Sequence, residues 1–350
     1  MKSRHPLLIL FSSGLTLFVI FIIGEVWARS RELPPDSGSI YILREEKLPR
    51  VVLRPGAKET VAGAPVRVNS LGFRGREYCR EKPVGVKRIL VLGDSFAFGV
   101  GVPEEAIFPT RIEERVNQNN PSQPVEVINL GVLDYNTDDS LACLKESGLE
   151  LTPDLALLFY VMNDIEIKGE FLPKSKEQTG AKDKKESGED RQYRDPLYNR
   201  VAERNNRSHF LRYLAPRIAS LGRRLGLEFP SSGHFYGTAY MENVEGWRRS
   251  KTVLKQIRDL GKEHHFRFAI VLFPLLTNLT ESYPANETHR VIGEFARREG
   301  IPFLDLLPAY MGKKATSLWV SPTNGHPNAE GHRIAAEAVC AFLLNNPQLL

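Results

Sequence analysis

Three short apolar runs of this chain end in residues suited to acyl-transfer chemistry. They are RILVLGDS (88–95), VEVINLG (125–131) and LALLFYVMND (155–164). A fourth feature, Gly325-His326-Pro327-Asn328, stands before the last helical pattern. The side chains on offer are the Ser95 hydroxyl, the Asn163 amide and the His326 imidazole. Serine is a poor nucleophile at neutral pH and needs a base within hydrogen-bond reach, for which His326 is the candidate. The anion that develops on an attacked carbonyl needs fixed donors. Candidate donors are the Ser95 and Gly131 backbone N–H groups and the Asn163 side-chain amide. Glycine at 131 lets the backbone come close to a substrate. A neutral amide at 163 donates without carrying charge. Ser95 also suits a simple helix N-cap, and Asn163 a strand-end turn.

The elements around these residues explain why they should converge. The three runs, together with RFAIVLFP (267–274) and IPFLDLL (301–307), are rich in branched and aromatic residues and end in turn formers. Helical patterns lie between them at 104–118, 137–149, 244–264, 285–299 and 328–345. Strands alternating with helices predict βαβ units and a parallel sheet. The near-continuous apolar strands predict burial on both faces. In such sheets ligands bind at the carboxyl ends of the strands, where Ser95, Gly131 and Asn163 stand.

The flanking segments set the compartment and the organisation. Residues 6–24, PLLILFSSGLTLFVIFIIG, carry no charge and follow Lys2 and Arg4. That length approaches the thickness of a bilayer core, and the preceding cations place the N-terminus in the cytoplasm. We read 1–29 as a membrane anchor or signal peptide; either puts residues from about 30 onward outside the cytoplasm. Residues 30–86 are read as an extended N-terminal segment packing on the domain. Residues 87–350 are read as the domain itself, interrupted by a polar insertion at 173–194 and a helical insertion to about 243. From Arg200 to Arg224 there are seven arginines and one acid, Glu203. This accounts for the net charge of +5, and a local strip of this kind fits a solvated face or an anionic surface. Nucleic-acid binding has no recognition motif behind it. Three cysteines with no C-x-x-C pair exclude a disulfide scaffold and a thiolate zinc site.

LVLGDSFAFGVGV, INLGVLDYNT, YVMNDI and GHPNAEGHRIAAEAV, in that order, resemble successive blocks of the SGNH (GDSL-type) hydrolase superfamily. NSLGFRGREY (69–78) resembles its membrane-anchored bacterial branch. The resemblance implies a three-layer α/β/α flavodoxin-like domain that needs no metal or cofactor. It implies Ser95 as nucleophile, Ser95, Gly131 and Asn163 as oxyanion donors, and His326 as base. Two positions depart from the pattern. Val161 stands where a glycine is usual. Thr323, followed by Asn324, stands where an aspartate usually orients the histidine. Thr323 or Asn324 as a neutral acceptor, Asp305 as a substitute acid, or a weak or dead site are then the open outcomes.

The expectation is therefore an extracytoplasmic, membrane-anchored serine esterase acting on short acyl esters of a glycan or lipid. An acyltransferase modifying an exported polysaccharide is one alternative. A non-catalytic glycan-binding or scaffold subunit is the other.

Overall fold

The computed structural model describes residues 16, 18–26, 40–44, 47–165, 244–322 and 324–350. The polar insertion at 173–194, the helical insertion to about 243, Thr323 and most of the apolar run at 6–24 lie outside the described residues. The chain divides into two compact units, Met1–Ser37 with Pro173–Phe229, and Gly38–Leu172 with Pro230–Leu350. In the first unit, residues 18–26 are helical. Among the described residues no helix is long and apolar enough to cross a membrane.

The second unit is built on a five-stranded parallel sheet. Its strands are β5 (Lys87–Gly93), β6 (Val125–Asn129), β7 (Leu155–Tyr160), β8 (Arg267–Leu272) and β9 (Phe303–Asp305), in the order β6-β5-β7-β8-β9. All six residues of β7 and six of the seven in β5 are buried. The side chains are large and branched on both faces, so each face must be covered by helices. The covering helices are α2 (Phe108–Asn119), α3 (Thr137–Cys143), α4 (Glu245–Glu263), α5 (Asn286–Arg298) and α7 (Ala329–Asn345). Right-handed crossovers from β5 to β6 and from β6 back past β5 to β7 put α2 and α3 on opposite faces. The crossovers through α4 and α5 run in the same direction as that through α3, so these helices share its face. Trp247 of α4 and Phe295 of α5 meet edge to face at 5.4 Å. On the other side Phe108 of α2 stacks on Phe159 of β7 at 4.0 Å. Two short helices, α1 (Ser95–Phe98) and α6 (Leu307–Tyr310), sit at the ends of β5 and β9.

Several elements differ from the sequence expectation. The helix expected over 104–118 begins as a 3-10 turn, Glu104–Ala106, and restarts at Phe108 after an extended Ile107. Pro109 needs no amide acceptor in the first turn, and the Phe108 N–H is taken by His332 Nδ1 at 3.0 Å. That bond, with complete burial of its ring, makes His332 a packing histidine. The helix expected over 137–149 is α only to Cys143. It continues as a π turn, Leu144–Gly148, and a 3-10 turn, Leu149–Leu151. A hairpin of β10 (Trp319–Ser321) and β11 (Asn324–Pro327) was not foreseen.

The segment before the sheet forms two antiparallel pairs, β1 (Tyr41–Leu43) with β2 (Val51–Leu53) and β3 (Lys58–Val61) with β4 (Ala64–Arg67). It is tied to the sheet through Arg88, which is fully buried. The Arg88 guanidinium donates to Glu126 Oε2 at 2.7 Å and to the carbonyls of Cys79 and Arg80 at 3.0 and 2.9 Å. The Tyr78 hydroxyl donates to the Val127 carbonyl at 2.8 Å.

Thr152, which closes the 3-10 turn before β7, has φ 47° and is exposed. A β-branched residue is strained in the left-handed region. Thr152→Gly is expected to raise stability by about 1 kcal/mol in urea unfolding; a loss of stability would contradict the strain argument.

Candidate active site

Ser95 stands at the first position of α1, immediately after β5. The turn that places it needs Gly93. Its φ is 146°, and a Cβ there would lie 2.8 Å from the Phe159 carbonyl and 2.9 Å from Ala97 Cβ. The N-cap is Asp94 rather than Ser95, because the Asp94 carboxylate accepts from the Phe96 N–H at 2.8 Å. This leaves the Ser95 hydroxyl free of capping duty. The Ser95 N–H, at a helix start, has no intrahelical acceptor.

His326 reaches Ser95 from the other end of the chain, on β11. His326 Nε2 lies 2.8 Å from Ser95 Oγ. Its Nδ1 lies 2.6 Å from Asn324 Oδ1. The same Asn324 oxygen accepts from the His326 backbone N–H at 3.2 Å. A backbone N–H can only donate, so the atom it reaches is the carbonyl oxygen of the amide. The proton of neutral His326 therefore sits on Nδ1, and Nε2 is left to accept from the serine. Burial holds the imidazole below its ordinary pKa. Phe96 supplies part of that burial, with ring centroids 5.5 Å apart, and Phe273 backs Phe96 at 5.0 Å.

The hairpin is anchored by the residue after it. Asn328 caps α7, accepting from the Glu330 and Gly331 N–H groups at 3.0 and 3.1 Å. Its amide donates to the carbonyls of Ser317 and Trp319 at 2.9 and 3.1 Å. One side chain thus fixes both the start of the last helix and the strand pairing that carries His326.

Asn163 lies in the 3-10 turn Met162–Ile165 that follows β7. Its Nδ2 donates to Asp94 Oδ2 at 3.2 Å. Asp94 thereby links the nucleophile turn to the amide expected to bind an oxyanion, and Nδ2 keeps a second hydrogen. Ser95 and Asn163 follow β5 and β7, the neighbouring strands where the chain order of the sheet reverses.

One of the sequence expectations, Asp305, needs correction. The Gly131 N–H donates to Asn129 Oδ1 at 3.0 Å in a local turn. Its glycine serves packing, since a Cβ would lie 2.6 Å from both Ala97 Cβ and the Phe98 nitrogen. Asp305 does not orient His326. Its Oδ1 lies 2.8 Å from His289 Nδ1 and accepts from the Leu307 N–H at 2.8 Å. Asn324 occupies the orienting position, and Thr323 lies outside the described residues.

Sequence reasoning missed Asn129, which is buried and donates to the Ala97 carbonyl at 2.9 Å. It also missed the second role of Asp94. Among the described residues no cluster of His, Cys, Asp and Glu could hold a metal ion. Cavities of about 450 and 600 Å³ open along α4–α5 and beside β9, and neither is lined by Ser95 or His326.

A serine at the carboxyl end of a central parallel strand, hydrogen-bonded to a histidine of fixed tautomer, is the layout of an α/β serine hydrolase. The model of the GDSL-like lipase/acylhydrolase family matches residues 91–334, and the chain belongs to that family of ester hydrolases. Similar solved structures include a lipolytic protein of the G-D-S-L family from Desulfitobacterium hafniense, with 13% identity and a TM-score of 0.40. That match covers 73% of this chain and 99% of that one. TesA shares 15% identity over 75% of this chain and 100% of its own, with a TM-score of 0.44. An acetylxylan esterase from Geobacillus stearothermophilus shares 14% identity over 73% of this chain and 94% of its own, with a TM-score of 0.42. A search of curated proteins returns no match.

Gly131→Ala forces a methyl group against the backbone of α1. It is expected to cost about 1–3 kcal/mol in thermal unfolding. An unchanged midpoint would contradict the packing role assigned to Gly131.

Proposed function

We propose that this ester hydrolase is a membrane-anchored, extracytoplasmic serine esterase that removes short acyl groups from a glycan or lipid. The observation that carries the chemistry is the hydrogen-bonded chain Ser95–His326–Asn324. In the proposed reaction Ser95 Oγ attacks the ester carbonyl while its proton passes to His326 Nε2. The tetrahedral oxyanion is held by the Ser95 N–H and the Asn163 amide. The intermediate collapses, His326 Nε2 returns the proton to the departing alcohol, and Ser95 keeps the acyl group. Water then attacks the acyl-enzyme, gives a proton to His326, and releases the acid as Ser95 recovers its hydrogen.

The depressed pKa of His326 bears on this cycle. Burial keeps the base form populated below the ordinary histidine value of about 6.5. The cost falls on the imidazolium that forms during attack, which Asn324 stabilises by a dipole and not by a charge. This neutral acceptor is also what favours the second reading, a binding subunit that has lost turnover.

The placement rests on the uncharged run at 6–24 and the cations before it. The exposed side chains of Phe18, Val19, Ile20, Ile22, Ile23 and Val26 around one helix are further support. Apolar side chains exposed over a broad face of a helix are more stable in lipid than in water. A glycan or lipid substrate follows from a catalytic domain held at a membrane surface.

The test uses the full-length chain in detergent, a fluorophosphonate probe and p-nitrophenyl acetate. Wild type is expected to label and turn over, with Ser95→Ala and His326→Ala each reducing turnover by about a thousandfold or more. A folded wild type that neither labels nor turns over would move the assignment to the binding subunit. A second prediction concerns pH. Asn324→Asp places a negative charge beside the imidazolium and raises the histidine pKa. The acid limb of kcat/KM is expected to move up by about one pH unit, and the plateau to rise about tenfold. An unmoved limb would show that position 324 does not act on His326.

A further inference from the structure

Arg74 is a buried cation far from any expected role. It is 1% exposed. It comes from the segment before the sheet, within NSLGFRGREY. No carboxylate pairs with its guanidinium among the described hydrogen bonds and ion pairs. Its partners are three carbonyl oxygens on the chain just after the nucleophile. Nη1 donates to the Phe98 and Gly99 carbonyls at 2.8 and 2.6 Å, and Nη2 donates to the Val102 carbonyl. The guanidinium also lies over the Phe98 ring, 4.8 Å from its centroid.

The Phe98 carbonyl ends α1, a single turn, and the Gly99 and Val102 carbonyls belong to the buried turn that follows it. A turn that short has few hydrogen bonds of its own, and its last carbonyls are orphaned. The Ser95 carbonyl accepts from the Gly99 and Val100 N–H groups at 3.0 and 3.3 Å. Asn129 takes the Ala97 carbonyl. Arg74 takes those that follow. A cation at the carbonyl end of a helix is electrostatically favourable, and a planar fork can serve several acceptors at once where an ammonium cannot. Burial lowers the guanidinium pKa to about 10, which leaves it charged at neutral pH.

The loop that delivers Arg74 is itself locked. Asn69 Oδ1 accepts from the Leu71 and Phe73 N–H groups, both at 3.0 Å, and Asn69 Nδ2 donates to the Arg76 carbonyl at 2.9 Å. Backbone bridges join Arg74 to Val68 on one side and to Asn129 of β6 on the other. A fixed loop therefore presents a fixed cation to the back of the nucleophile turn.

We propose that Arg74 is a positioning residue for the reaction at Ser95, its guanidinium clamping the carbonyl end of α1 so that the serine at the other end keeps its line to His326. The proposal rests on the esterase reading above and makes the N-terminal segment part of the working site.

The experiment compares Arg74→Gln and Arg74→Lys with wild type, all as full-length chains in detergent. Active sites are counted by fluorophosphonate titration, so turnover of p-nitrophenyl acetate is read per competent site. Amide exchange over residues 96–102 is read against exchange in β8. Arg74→Gln is expected to lower kcat per site by about ten- to a hundredfold with KM little changed. Arg74→Lys, which keeps the charge but not the fork, should fall between. Exchange over 96–102 should quicken while β8 is unaffected. Unchanged kcat per site, or exchange that quickens equally in β8, would overturn the clamp in favour of a general stabilising role. A wild type without turnover would sink the esterase reading instead. The exchange comparison would then decide the clamp alone, unaltered exchange over 96–102 overturning it.

Discussion

A single helical turn cannot hold a serine in place by its own hydrogen bonds. Nucleating a turn fixes several dihedrals for little return, so α1 depends on groups delivered from elsewhere. Gly93 allows the sharp exit from β5. Asp94 caps the amide end. Asn129 and Arg74 hold the carbonyl end. Gly131 leaves room for the turn to lie against the β6 loop. The sheet matters to the chemistry because it brings these contributors to one edge.

The histidine side is built on a different principle. His326 is carried by a short hairpin, and its position comes from side chains that bond backbone: Asn324 to the His326 amide and Asn328 to Ser317, Trp319 and the start of α7. Asn324 sets the tautomer without supplying charge. Burial against Phe96 keeps the ring neutral. A neutral base with a neutral orienter is competent to accept a proton but less able to stabilise the ion pair that follows. The Ser95–His326–Asn324 chain is thus hydrogen-bonded throughout and electrostatically mild.

Much of this was legible in the sequence. The central strands announce themselves because a strand buried on both faces has little room for polar residues, as RILVLG and LALLFY show. The Gly-Asp-Ser turn and the late histidine were legible because each lies at the end of an element where ligands bind. The β10–β11 hairpin was not, since Asn324-Gly325-His326-Pro327 carries no strand propensity. It pairs only because Asn328 and Trp319 are anchored. The packing role of Gly131 was not legible, because a glycine serves close approach of a ligand or of a neighbouring helix and sequence does not distinguish them. Asp305 was offered as an acid because its place at a strand end is visible, whereas its partner His289 is a tertiary neighbour. Arg74 reads as one arginine among many until its burial is seen.

The most direct measurement is the tautomer of His326 by nitrogen NMR of the full-length protein labelled at histidine, at neutral pH. The structure predicts a neutral ring with its proton on Nδ1 and a bare Nε2 facing Ser95. Substituting Asn324 by leucine should erode that preference, because the acceptor holding the proton is gone. A wild-type ring protonated on Nε2 could not take the serine proton, and that result would contradict the account of Ser95 as an activated nucleophile.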